Sequence, residues 1–266
     1  MTIPRIFIDP GHGGSDPGAV GNSMRESDIV LEVAMHLDRI LAGAGIITKM
    51  SRTTNVSPAL RPQTANSWGA DLLVSIHANA GGGTGVETVI PTASPRNPQR
   101  NLQECRRLAA LMSNSIASKF GMRVRRANGV MLETETPRKS IGVLRESKMI
   151  AVLTEIAFID SPLQNPDVNV LRNRRLETAH AIADSIFEFL GINPKHETPQ
   201  SGVNVSINGT TLQVPAVNID GRWIIELPEG PEGQSHPNVL LRVVLEAMGL
   251  TVSWDGPNNT IIATSA

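Results

Sequence analysis

A single cysteine in 266 residues, Cys105, allows no intramolecular disulfide, and it excludes a four-cysteine zinc site and a thiol redox pair. Any metal would have to rest on histidines and carboxylates. No apolar run approaches the ~18 residues that a membrane span needs. Charge of one sign is also missing. The 24 basic and 25 acidic residues leave a net charge of −1, so a polyanion such as nucleic acid is not the obvious partner. With 40% hydrophobic residues, 18% charged residues and a mean hydropathy of −0.07, the chain is not wholly disordered, collagen-like or a coiled coil. The opening MTIPRIFIDPGHGG has no charged segment followed by an apolar stretch, so no signal peptide is expected on the chain as it stands.

What is present divides into two parts. From residue 202 onward the basic residues are Arg222 and Arg242, against Asp220, Glu226, Glu229, Glu232, Glu246 and Asp255, a net charge of −4; the preceding residues carry +3. This shift, and an apolar-poor stretch with two prolines at 193–202, predict a linker between a domain over 1–192 and a small module over 203–266. In the first domain, strands are predicted at 5–9 (RIFID), 46–50, 71–77 (DLLVSIH), 85–90 (GVETVI) and 151–158 (AVLTEIAF). Helices are predicted over 29–42, 60–68, 102–119 and 171–190. The alternation predicts an α/β fold, an open, mostly parallel sheet with helices on both faces. The module reads as a small α+β domain. It has a hairpin at 203–214 turning at Asn208-Gly209, a strand at 222–227, a helix at 239–248 and a second hairpin at 250–263.

Four side chains could carry chemistry. His12, in Pro10-Gly11-His12-Gly13-Gly14, and His77, followed by Ala78-Asn79-Ala80, each lie at or just beyond the end of a predicted buried strand. Ligands of open α/β sheets bind beyond those ends. Glu26 stands just before the first helix, and Glu155 is embedded in an apolar strand, where a carboxylate is costly unless paired, hydrogen-bonded or functional. Two imidazoles and one carboxylate make a three-ligand zinc set with an open fourth position, which a second carboxylate could serve as proton shuttle. On spacing alone the alternative stays open: satisfied loop histidines and one paired core glutamate.

The motifs Ile8-Asp9-Pro10-Gly11-His12-Gly13-Gly14, Arg25-Glu26-Ser27-Asp28, Ser75-Ile76-His77-Ala78-Asn79-Ala80, Gly85-Val86-Glu87 and Leu153-Thr154-Glu155-Ile156-Ala157-Phe158-Ile159 resemble, in order, those of the zinc-dependent N-acetylmuramoyl-L-alanine amidases of the amidase 3 family. The resemblance runs from about Arg5 to Ile192. It implies Zn2+ held by His12, Glu26 and His77, with Glu155 as the catalytic carboxylate. It also implies a peptidoglycan hydrolase that cleaves the amide between N-acetylmuramic acid and the L-alanine of the stem peptide with zinc-activated water. Two positions depart from the family's pattern: Ala157 stands where glycine is usual, and Asp160-Ser161-Pro162 stands where Asn-Pro often follows. No long extra helical segment of the kind that plugs some cell-division amidases is expected between Arg123 and Arg145, so the site is expected to be open without an activator.

The remaining candidates are read plainly. His36 and His180 are expected on solvated helix faces, His196 in the linker and His236 in a loop. Glu87 faces the cleft or pairs with a neighbour, Asn79 positions substrate or stabilises a turn, and Arg123-Val124-Arg125-Arg126 is a basic cluster expected on a solvated face. In the tail, Val205-Ser206-Ile207-Asn208-Gly209, Val214-Pro215-Ala216, residues 241–249 and Val252-Ser253-Trp254-Asp255 resemble the copper amine oxidase N-terminal-like (stalk) domain, without a metal constellation, which implies attachment or targeting to the wall or its other polymers. Trp223 and Trp254 there are expected in its core. The alternatives to an amidase are a catalytically inactive wall-binding protein with the same fold and a metallopeptidase cutting within peptides. The expected place of action is the bacterial cell wall, reached as a phage endolysin released by a holin or as a secreted autolysin whose leader was trimmed.

Overall fold

The computed structural model describes residues 3–53, 60–94 and 97–193 in full and, beyond them, the backbone of six strands between residues 203 and 265. It divides into two compact units, Met1–Pro194 and Lys195–Ala266. Most of the predicted linker, the turn at Asn208-Gly209, the helix at 239–248, His196 and His236 lie outside the described residues, as do the side chains of Trp223 and Trp254.

The first unit is built on a six-stranded sheet. Its strands are β1 (Arg5–Pro10), β4 (Ile47–Met50), β5 (Leu72–Asn79), β6 (Glu87–Ile90), β7 (Val130–Leu132) and β8 (Ile150–Phe158), in the spatial order β4-β1-β5-β8-β6-β7. Strands β4, β1, β5 and β8 run parallel, whereas β6 runs antiparallel to β8 and carries β7 parallel to itself. The expected open, mostly parallel sheet is therefore present, with one reversal at β6. A two-stranded ribbon, β2 (Val20–Gly21) and β3 (Met24–Arg25), leads into the first helix.

The period-2 alternation of each strand sends its side chains to two different layers. Ile6, Ile8, Leu72, Val74, Ile76, Val152 and Ile156 face one core, shared with α1 (Glu26–Gly43), α3 (Leu102–Phe120) and α6 (Arg175–Leu190). Each helix contributes an apolar stripe at helical spacing, such as Val30, Val33, Ala34, Leu37 and Leu41 on α1 and Cys105, Leu108, Ala109, Met112 and Ile116 on α3. Asn101 caps α3 by accepting the Glu104 N–H at 3.1 Å. On the opposite face Phe7, Leu73, Val89, Ala151 and Leu153 pack with Ala65 of α2 (Arg61–Trp68) and Leu144 of α4 (Gly142–Arg145). Among the described residues no helix is long and apolar enough to cross a membrane.

Two expectations need correction. The predicted helix over 171–190 is two helices, α5 (Pro166–Asn173) and α6, because Arg174 leaves helical geometry at φ −119°, ψ 35°. Asp167 in the first turn of α5 explains the separate start. It is buried, and its carboxylate accepts the N–H groups of Gly85 (2.8 Å) and Phe158 (2.9 Å). His36 is not on a solvated face. It is 9% exposed, and burial lowers its pKa despite Glu32 nearby.

In the second unit β9 (Val203–Ile207), β10 (Thr210–Val214), β13 (Leu250–Asp255) and β14 (Thr260–Ser265) form a sheet ordered β10-β9-β14-β13. The strands β11 (Ala216–Ile219) and β12 (Arg222–Ile225) form a hairpin. The hairpins β9/β10 and β13/β14 are antiparallel as their sequences predict, and β14 lies parallel to β9.

Beneath the end of β1, two buried arginines clasp the chain that follows it. Arg61 on α2 pairs with the buried carboxylate of Asp9 (3.1 Å), which also accepts Ser51 Oγ (2.6 Å) and Ser75 Oγ (2.7 Å). The same guanidinium donates to the carbonyls of Pro10 and His12. Arg52 donates to the carbonyls of Pro10, Gly11 and Ser27. Removing one partner of a buried pair strands the other charge. Arg61→Met is therefore expected to cost about 3–5 kcal/mol in urea unfolding at pH 7, and a loss below about 1 kcal/mol would contradict the clasp.

Candidate metal centre

Three segments distant in sequence meet at one point. His12 lies in the loop after β1, Glu26 opens α1, and His77 sits near the end of β5. Donor atoms from all three lie within 4.8 Å of one another, close enough to hold a metal ion. Glu26 Oε1 is 3.1 Å from His12 Nε2 and 2.9 Å from His77 Nδ1. The two rings stand nearly edge to face, with centroids 4.9 Å apart.

The backbone makes this approach possible. His12 takes a left-handed conformation (φ 57°), which the clasped carbonyls on either side hold in place. A Cβ on Gly11 would come within 2.3 Å of the His77 ring. One on Gly18, itself at φ +66°, would come within 2.6 Å of Glu26 Oε2 and 2.7 Å of the His12 ring. Only glycine fits at either position.

Glu26 is 3% exposed. Two backbone donors answer its charge: Ala78 N–H to Oε1 (3.0 Å) and Ala19 N–H to Oε2 (2.8 Å). Burial alone would raise its pKa, but the hydrogen bonds to His12 and His77 outweigh burial and hold the carboxyl far below its usual range. For His12 burial acts downward, yet Glu26 and then Asp16 raise it above the ordinary imidazole value. Asp16 Oδ2 lies 2.8 Å from His12 Nδ1, which turns Nε2 toward Glu26. A carboxylate behind a histidine is the usual support of a metal-binding imidazole. Sequence reading missed Asp16; its one signal is its place four residues after His12 in a glycine-rich loop.

Glu155 belongs to the same neighbourhood. On β8 it is the register partner of His77 on β5 and of Glu87 on β6, so one row across the sheet reads His77, Glu155, Glu87. Its Oε2 is buried without a hydrogen-bond partner. Burial pushes its carboxyl up to about 7. His77 works against that rise, while the carboxylates of Glu26 and Glu87 add to it. Glu87 is buried and pairs with Arg125, and Asn79 Nδ2 donates to it at 2.9 Å. It therefore pairs with neighbours inside the cleft, and Arg125 and Arg126 of the expected solvated cluster turn toward it. Asp160 and Ser161, where the family's pattern differs, hold the loop after β5: Asp160 accepts the N–H groups of Gly81 and Gly82, and Ser161 Oγ donates to the Gly83 carbonyl.

The comparisons with known proteins concern the family and fold of the first unit. The profile of the N-acetylmuramoyl-L-alanine amidase family, amidase 3, matches residues 6–188. The chain is 38% identical over 163 residues to the sporulation-specific N-acetylmuramoyl-L-alanine amidase of Bacillus subtilis; the match covers 59% of this chain and 57% of that protein's length. It is 30% identical over 229 residues to the endolysin of Bacillus phage SPP1, covering 82% of this chain and 79% of the endolysin. The crystal structure of an N-acetylmuramoyl-L-alanine amidase from Clostridium difficile 630 superposes with a TM-score of 0.59 at 30% identity, over 71% of this chain and 97% of that one.

The shifted groups predict how the metal-free protein responds to pH. The lowered Glu26 contributes stability above its ordinary value of 4.5, and that contribution is lost as pH falls below it. The raised His12 contributes stability below 6.5, lost as pH rises through its folded value. Chelator-treated protein is therefore expected to be most stable to heat between these two values, and Glu26→Gln to flatten the profile. An equally sharp maximum in the variant would contradict the pairing.

Proposed function

The chain belongs to the amidase 3 family of N-acetylmuramoyl-L-alanine amidases, and from that premise we propose that it hydrolyses peptidoglycan at the amide between N-acetylmuramic acid and the L-alanine of the stem peptide. The donor set fits Zn2+: two imidazoles and one carboxylate are the ligand types of a catalytic zinc with a free position. His12, Glu26 and His77 would hold the ion. When bound, such an ion acts as a Lewis acid toward a carbonyl and lowers the pKa of water to about 7.

The chain's own residues do the rest. Asp16 accepts the hydrogen bond of His12 Nδ1–H and so keeps the Nε2 lone pair directed inward. The backbone N–H groups of Ala19 and Ala78 fix the carboxylate plane of Glu26. Glu155 is the proton carrier. One observation supports this role above the others: a buried carboxylate oxygen with no partner, in register with His77. Burial raises this carboxyl above the ordinary carboxylate range, which suits a group that takes a proton from the attacking water and gives it to the departing L-alanine nitrogen.

The segment between Arg123 and Arg145 is formed by short pieces, β7 and the four-residue α4 among them, so this segment lays no long helix over the site. The enzyme is expected to act without an activating partner. On the resemblance of its sequence to the stalk domain, we assign the second unit the docking of the enzyme on the wall or its other polymers. The place of action is the bacterial cell wall, as the sporulation amidase and the phage endolysin among its relatives suggest.

Digestion of purified peptidoglycan followed by fragment masses tests the assignment. The expected products are a free lactyl carboxyl on the glycan and a new L-alanine amine, formed without chelator and lost with it. Glu155→Gln is expected to lower the rate by at least about 10²-fold with zinc content unchanged. Cleavage within the peptide, or turnover unaffected by Glu155→Gln, would contradict it.

A further inference from the structure

Beyond Glu155 the row across the sheet continues to Glu87 and two arginines, and none of these holds the ion or carries the proton in the hydrolytic step. Glu87 carries one negative charge. Arg125 Nε lies 3.1 Å from its Oε1 and Arg126 Nε 3.5 Å from its Oε2, so two guanidinium charges flank one carboxylate, and Oε2 is left without a hydrogen bond. Arg125 is immobilised by further contacts. It donates to the Thr84 carbonyl at 3.2 Å, and its guanidinium lies 4.7 Å over the Phe158 ring. Arg126 is different. Its side chain is 46% exposed, and its backbone sits at φ 56°, ψ −179°, a region that is essentially glycine-only. A long side chain held in such a conformation beside an active-site row calls for a use. The surplus positive charge of the pair therefore resides on the arginine that faces solvent.

Resting on the amidase reading, we propose that Arg126 is a substrate-recognising residue that binds a free carboxylate of the stem peptide, beyond the L-alanine whose amide is cut. Three observations carry this inference. Guanidinium is the side chain suited to two-point recognition of a carboxylate. Nearly half of the Arg126 side chain is exposed, so a ligand can reach the guanidinium while Glu87 stays beside it. The distance also fits. Adjacent strands are ~4.8 Å apart, so Glu87 stands about 10 Å across the sheet from His77. An extended peptide advances about 3.5 Å per residue, so a carboxylate two or three residues along reaches Arg126. Arg125 and Glu87 act as positioning residues for it.

The test uses the full chain and two soluble muramoyl-tripeptides that begin with L-alanine. One has its later carboxyl groups free, and the other has the same groups as carboxamides. The unmodified enzyme is expected to favour the free carboxylates at least tenfold in kcat/KM, chiefly through KM. Arg126→Gly removes the side chain and suits the backbone, so the variant should unfold at no lower temperature, and its preference should fall to about one. Arg126→Lys, which keeps the charge and loses the fork, should retain a partial preference. A preference unchanged in Arg126→Gly, or no preference in the unmodified enzyme, would overturn the inference while leaving the amidase reading standing. Cleavage of neither peptide by the unmodified enzyme would overturn both.

Discussion

The arrangement depends on one buried charge. Glu26 lies at the first position of α1 with almost no exposure to water, and a carboxylate there is tolerable only if its oxygens find donors. The chain supplies two backbone N–H groups and two imidazoles. Those donors come from the loop after β1, from the end of β5 and from Ala19 just before the ribbon, so satisfying Glu26 fixes these segments against one another. The same convergence brings two ring nitrogens and a carboxylate oxygen to a common point. In the metal-free chain, imidazole protons answer the carboxylate. The set of atoms that answers it so is also the set a divalent ion would take.

The sheet adds the second constraint. Because side chains alternate along a strand, His77, Glu155 and Glu87 fall on one face in one row, the face whose deeper rows are the apolar layer of Phe7, Leu73, Val89 and Leu153. The reversal of β6 matters here. It brings the start of β6, and not its end, to the C-terminal edge of β8, so Glu87 and the arginines preceding β7 arrive where the ligand crevice of a parallel sheet opens. Below that row the Asp9–Arg61 pair and Arg52 hold the carbonyls of the His12 loop, which keeps a left-handed histidine in place.

Much of this was legible in the sequence because its signals are local. Apolar runs ending in Pro-Gly or His, and stripes at helical spacing, place β1, β5, β8, α1 and α3 within a residue or a few of their observed ends, and the motifs around His12, Glu26, His77 and Glu155 mark the four residues that the fold gathers. What was not legible is carried by distant contacts. Arg52 and Arg61 act on carbonyls of the His12 loop some forty to fifty residues away, Arg125 and Arg126 on a glutamate about forty residues earlier, and no periodicity encodes such pairs. His36 reads as polar from its neighbours on α1, and its burial follows from how α6 packs there. The separate start of α5 is likewise set by Asp167, whose carboxylate anchors the helix to two backbone N–H groups from other segments.

The most direct test of the central claim is zinc K-edge absorption spectroscopy on the zinc-loaded full chain. The account predicts one ion per chain with two imidazoles and oxygen donors at about 2.0–2.2 Å and no sulfur. His77→Ala should lose one imidazole or the ion itself, and Glu155→Gln should leave the ligand shell unchanged. A shell without imidazole, or a spectrum that does not change in His77→Ala, would contradict the claim that His12, Glu26 and His77 hold the ion.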